Sequence, residues 1–290
     1  MTTVPTIADA RTTVRTRRMA GFGPTTPALA FLLLFFVTPV LLLLLRSVLE
    51  PQPGLQNYAE IFGSTTYLRV FANTFIVAGL VTAVTLVLAF PVAWLLAIAP
   101  RRWSAFLFAI IVLSMWTNLL ARTYAWMVLL QRTGVINKVL MQLGVISQPL
   151  TLVNNLVGVT IGMTYIMLPF MILPLHATMR SLDPAVFQAA SLCGASRRQV
   201  FIKVFLPLVA SGVAAGVLMV FVMSLGYFVT PALLGGTSNM MLAELIAQLV
   251  QSLLNWGLAG AAAVVLLVVS LAIYAVQFRY FGFGSSNRAR

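Results

Sequence analysis

Acidic side chains are scarce in this chain: Asp9, Glu50, Glu60, Asp183 and Glu244 are the only ones among 290 residues. None pairs with another at helical spacing inside an apolar run. The chain therefore lacks the intramembrane carboxylate relay that proton- or sodium-coupled carriers commonly use. A single histidine, His176, and a single cysteine, Cys193, cannot build a metal site, a thiolate cluster or a disulfide. No H-E-x-x-H pattern and no Ser/His/Asp set supports an embedded enzyme, so no residue is assigned a catalytic or metal-binding role. A G-x-x-x-x-G-K-[ST] loop is missing as well, and nothing else in the chain would cradle ATP phosphates. Any ATP-derived energy would have to come from another polypeptide.

Charge of either sign is sparse, at 8% of residues against 61% hydrophobic, where a soluble domain carries about 25% charged residues. The chain reads as a polytopic, all-α membrane protein. Its formal net charge of +13 could suggest nucleic acid, but the placement of the basic residues argues otherwise. Arg11, Arg15, Arg17, Arg18, Arg101, Arg102, Arg180, Arg197, Arg198, Lys203, Arg279, Arg288 and Arg290 fall on one side of a six-span arrangement. Only Arg46, Arg69, Arg122, Arg132 and Lys138 fall near the other. That bias is the positive-inside pattern, and it predicts both termini in the cytoplasm.

A helix needs about 20 apolar residues to cross roughly 30 Å of hydrocarbon. Runs of that length predict spans near 27–48, 69–99, 103–130, 153–179, 206–234 and 256–278, within a transmembrane domain over 27–283. A basic tail over 1–26 precedes it and a short tail over 284–290 follows; the first span is expected to stay uncleaved. Pro91 is expected to bend the second span. Arg122, near the outer end of the third, is expected to hold the outer mouth together, with Tyr124 and Trp126 in an interface belt. Gly158 with Gly162, and Gly212 with Gly216, place small residues four apart for close helix packing. Between 239 and 254, Met241, Leu242, Leu245, Ile246, Leu249 and Leu253 share one helical face with Glu244 on the polar side, which predicts an outer or re-entrant helix.

One polar and basic stretch interrupts this pattern, Asp183 to Pro207, DPAVFQAASLCGASRRQVFIKVFLP. Asp183 suits an N-cap and Pro184 the first helical position, so a short helix starts there. Gly194 suits the left-handed residue that ends it, and Ser196 with Gln199 forms a capping box that starts another. Two short helices meeting at a corner exceed what a connection needs, which is two to eight residues.

Gln188-Ala189-Ala190, three residues, Gly194-Ala195 and then Leu206-Pro207 resembles the EAA loop of ABC-importer membrane subunits. The family usually has Glu at its first position, where this chain has Gln188. NLLARTYAWMVLLQRTGVIN and GYFVTPALLGG are similar to segments of spermidine/putrescine-type permeases. The resemblance implies six transmembrane helices of the type I ABC-importer permease architecture in a bacterial inner membrane. It also implies a coupling helix, made by Asp183, Pro184, Gln188, Ala189, Ala190, Gly194, Ala195, Ser196, Leu206 and Pro207, that docks on an ATPase. The implied partners are two cytoplasmic ATPase subunits that bind ATP and Mg, a second, different permease chain, and a periplasmic solute-binding protein; this chain would hold no cofactor itself. A polyamine-like solute would want aromatic faces or acids near the pore, and the candidates are Tyr124, Trp126, Tyr165, Tyr227 and Glu244. A stand-alone secondary carrier or channel is the alternative, and a structural membrane scaffold is a third reading.

Overall fold

The computed structural model describes residues 26–281, and every regular element among them is helical. The expected tails therefore lie outside the described residues, apart from Thr26. The first span is α1 (Thr26–Leu49), with a π turn over Leu33–Val37. The loop behind it folds as α2 (Gln56–Gly63). Its anchor is buried Asn57, whose side-chain amide donates to the carbonyls of Ser47 (2.9 Å) and Glu50 (2.7 Å). Arg46 at the end of α1 pairs with Glu50 at 3.5 Å and lies over the Trp256 ring.

The second span, α3 (Thr65–Ile98), runs through Pro91 without interruption. The third departs from expectation. Where one helix was expected over 103–130, there are two, α4 (Arg101–Met115) and α5 (Leu119–Leu130). From α5 the chain passes through a short turn into α6 (Val135–Gln142), and the axis over 119–142 is bent by 96° from that of α4. The break has a local cause. The Asn118 side chain accepts hydrogen bonds from the N–H groups of Leu120 (2.9 Å) and Ala121 (3.2 Å), so it starts a new helix inside an apolar run. Buried Asn137 then ties α6 to the loop ahead of the next span, exchanging hydrogen bonds with Leu150.

Helix α7 (Leu156–Arg180) is the most deeply buried element, with both α3 and α9 packed along it. It is followed by α8 (Pro184–Leu192) and then by α9, which runs from Arg197 to Leu225 as one long helix. This corrects the expected fifth span, 206–234, at both ends. At the start, a π turn over Val200–Phe205 shifts the hydrogen-bond register, and the Leu206 N–H donates to the Phe201 carbonyl. The helix therefore continues into Leu206 and Pro207 instead of beginning there. Residues 197–205 of the supposed loop are the first turns of the span, not a second short helix. At the far end, the helix stops at Gly226 and restarts as α10 (Val229–Leu234).

The amphipathic stretch folds as α11 (Leu242–Gln251), and the chain closes with α12 (Trp256–Phe281). Among the described residues five helices are long and apolar enough to cross a membrane, and the bent pair α4 with 119–142 makes a sixth crossing if taken as one. The paired glycines act as expected. A Cβ added to Gly212 would stand 2.7 Å from Thr178 Cβ, and one on Gly216 would stand 2.7 Å from Met171 Sδ, so α9 lies directly against α7.

A side chain at Gly212 must push these two helices apart. Gly212→Leu should therefore lower the thermal midpoint of the purified protein by the equivalent of about 1–3 kcal/mol of overpacking. Gly79→Ala, with no heavy atom within 4 Å of the added carbon, should leave it unchanged.

Candidate functional site

The corner between α8 and α9 is built as its residues dictate. Asp183 Oδ1 accepts from the Ala185 N–H at 2.8 Å and Pro184 occupies the first helical position. At the other end Gly194 adopts φ +81°. Its N–H donates to the Ser191 carbonyl (3.0 Å) and the Ala195 N–H to the Ala190 carbonyl (3.1 Å), the paired bonds of a Schellman stop. Ser196 and Gln199 then cap each other: the Ser196 N–H donates to Gln199 Oε1 at 2.8 Å, and the Gln199 N–H to Ser196 Oγ at 3.4 Å. The stop of α8 and the start of α9 are both held by hydrogen bonds made within the corner itself, so this shape does not depend on a partner.

No residue of α8 is buried. Gln188 and Ala189 are exposed, Ala190 and Ala195 are partly covered, and Leu192 stands 88% exposed at the helix end beside exposed Cys193. A small-residue face flanked by a bare leucine suits close approach by another protein.

The attachment of α8 to the bundle runs through Phe187. Its ring lies 6.2 Å from that of Phe205, the one aromatic side chain of this group that is buried. Around Phe205 stand Phe201 of the same π turn (5.4 Å), with Phe90 and Trp94 of α3 (6.2 Å each). Three elements, α3, α8 and α9, thus meet in one aromatic cluster. Sequence reasoning had marked the corner but not these rings. The signal available was Phe201 and Phe205 at i, i+4 within a basic stretch, which places them on one helical face. Leu206 and Pro207 come directly after the cluster, where Leu206 borders an apolar cavity with Phe90, Pro91 and Val213.

The five solute-pathway candidates do not converge. Trp126 and Tyr165 are in ring contact at 5.6 Å, which joins α5 to α7. Tyr227 is packed against the main core, its hydroxyl buried and without a hydrogen-bond partner, as is Arg122 Nε. The Arg122 charge bears on Tyr227, next to a hydroxyl pair between Thr123 and Thr230 at 3.4 Å. Tyr124 is exposed. Glu244 corrects an expectation: it is not on a solvated face of α11 but buried at 7% exposure, within a helix that also buries Leu242, Leu245 and Leu249. The reason is that α11 packs against both α3 and α12, and its first N–H, from Leu242, donates to Thr74 Oγ1 of α3 at 2.8 Å. Burial raises the Glu244 carboxyl pKa, partly offset by a hydrogen bond from the Met241 backbone.

Comparison with known proteins decides what this architecture is. Residues 97–282 match the model of the family described as the binding-protein-dependent transport system inner membrane component. The chain belongs to that family. It is a permease subunit of an ABC importer and a multi-pass inner-membrane protein. It is 34% identical over 215 residues to the spermidine/putrescine transport system permease protein PotB of Salmonella typhimurium (strain SL1344), covering 74% of this chain and 75% of that one. To PotB of Haemophilus influenzae (strain ATCC 51907 / DSM 11121 / KW20 / Rd) it is 31% identical over 258 residues, covering 86% and 90%. The fold is shared with a chain of the bacterial alginate ABC transporter solved with an alginate pentasaccharide-bound periplasmic protein. The TM-score is 0.75 at 18% identity, covering 91% of this chain and 94% of that one.

In the permease, Phe205 holds the exposed corner to the spans. Phe205→Ala should cost on the order of 3–5 kcal/mol, read as a lower thermal midpoint of the purified protein. Phe187→Ala, at the edge of the cluster, should leave that midpoint near wild type while speeding amide hydrogen exchange across 184–192.

Proposed function

We propose that this permease forms one half of an ATP-driven import pore, with α8 as the coupling helix that a cytoplasmic ATPase grips. The observation that carries this is a self-capped, fully surface-lying helix fixed to two spans through a single aromatic cluster. Two ATPase subunits would bind ATP and Mg below the bundle, a second permease chain would complete the pore, and a periplasmic solute-binding protein would dock on the opposite end. The concentration of arginine and lysine in segments on the α8 side supports placing that side, and both termini, in the cytoplasm. Closure of the ATPase dimer would push α8, and α3 and α9 would tilt with it so that the cavity faces outward. The chain's own contribution is conformational, a shift between two states that ligands bias.

The solute we propose is a small organic molecule of the polyamine class. Support comes from the spermidine/putrescine permeases to which the chain is similar over most of its length. The fold cannot carry this assignment, because an alginate transporter shares it and alginate is an acidic polysaccharide. Within the chain, the Trp126–Tyr165 pair offers aromatic faces to an ammonium group. The Arg122 charge beside Tyr227 would repel one, so Tyr227 is the weaker candidate.

A tagged permease should bring its ATPase through purification, and deletion of 184–199 should release the ATPase while the spans still insert. Gly194→Val, which puts a β-branched residue at φ +81°, should reduce ATP-linked uptake strongly without loss of membrane insertion. Retention of the ATPase by the deletion, or ion-gradient-driven flux by the chain alone, would overturn the coupling reading and favour a stand-alone carrier.

A further inference from the structure

Seven residues ahead of the aspartate that caps α8, His176 is 8% exposed, and no protein group meets its Nδ1. It lines a cavity of about 600 Å³ between the first turns of α4 and the last turns of α7, together with Ser104, Phe108, Ala177 and Arg180. The Ser104 hydroxyl is already committed to the Leu96 carbonyl at 2.8 Å. Phe108 stacks near the imidazole at 5.6 Å between ring centres. Nδ1 is itself shut away from solvent, so what remains to meet a ligand is the open edge of the imidazole and the Arg180 guanidinium. Arg101 does not line the cavity, but it opens α4 three residues before Ser104 and four before Ala105, which do, and so stands at the cavity's edge on their helical face. Helix α4 begins at Arg101 with no side-chain cap, which leaves the N–H groups of its first turn unclaimed beside the same cavity.

Among the described residues no acid is ion-paired with this set. The only ion pair among the described residues is Arg46 with Glu50, at the other end of the bundle. Asp183, the nearest acid along the chain, is engaged in capping α8. Two guanidinium groups, a ring nitrogen able to donate and an uncapped helix N-terminus are all donors, so the site is suited to an anion. Guanidinium forks match phosphate oxygens in particular. Trp103 and Phe106, exposed at 64% and 58%, flank it on α4 and provide apolar surface where the spans end.

We propose that this cavity binds the phosphate of an anionic phospholipid head group from the leaflet on the α8 side, with the acyl chains lying along α4. The proposal uses the cytoplasmic placement of α8 given above, where anionic lipids create a negative surface that basic pockets between helices exploit. Such a lipid would brace α4 against α7 beside the coupling helix.

The importer, purified with its partner subunits in detergent, should retain bound phosphatidylglycerol or cardiolipin through exhaustive washing, as read by native mass spectrometry. The double variant Arg101→Gln/Arg180→Gln should lose that lipid several-fold, while Arg102→Gln, off the shared face, should keep it. Re-addition of phosphatidylglycerol to delipidated wild type should raise its thermal midpoint, and millimolar inorganic phosphate should not. Equal retention by the double variant, or no retained lipid in wild type, would overturn the site. A shift given equally by phosphate alone would overturn the lipid as its occupant. Co-purification of the ATPase with the double variant, measured on the same samples, reports the coupling reading separately, so failure of one is not mistaken for failure of the other.

Discussion

The packing of one ring, Phe205, is the constraint on which the rest of this architecture depends. It sits in the π turn that opens α9, and α3 and α8 both reach it through aromatic side chains. Remove that contact and α8 is a capped helix held to α7 and α9 only by the short segments 181–183 and 193–196. Keep it, and any displacement of α8 is delivered to two membrane helices at once. Close-packed interiors of this kind do not deform continuously; they transmit strain. The π turn matters here because it carries Phe201 and Phe205, both of which contact Trp94. It also leaves Pro207, which has no N–H to give, inside a continuous helix.

The small-residue contacts higher in the bundle complete the lever. Gly212 and Gly216 bring α9 onto α7, and Gly162 accommodates Leu234 and Thr230 of α10. In lipid, where helices gain nothing from hiding apolar surface from one another, such approach is a main source of association. The end of the bundle that carries α8 is thus joined by rings, and the middle by direct backbone approach. The end opposite α8 is held by polar staples, Asn57 to α1 and Asn137 to the loop before α7.

What could be read from the sequence was whatever is decided by near neighbours. Asp183, Pro184, Gly194, Ser196 and Gln199 each act on groups within four residues of themselves, and the corner they make is the one their types imply. Long apolar runs likewise marked the spans, and glycines four apart marked their contacts. What could not be read depends on distant partners. Phe90 and Phe205 are more than a hundred residues apart, and no local pattern says that they touch. Glu244 lies opposite an apolar stripe and so read as solvated, but α3 and α12 cover both sides of α11. Asn118 read as one polar residue in a long helix; its side chain instead claims two backbone donors and starts a new one. The fifth span was expected to begin at Leu206, whereas the wider turn before it carries one helix from Arg197 through Leu206 and Pro207.

The central claim is that α8 moves as one body with α3 and α9. It is tested most directly by spin labels on Cys193, which is exposed at the end of α8, and on a cysteine introduced at Ile98, exposed at the end of α3. Their separation would be measured by double electron–electron resonance in the assembled importer, with and without ATP. The account predicts a narrow distance distribution that ATP leaves unchanged. A distribution that broadens or shifts by several ångströms on ATP binding would mean that α8 swings on a hinge, and would contradict it.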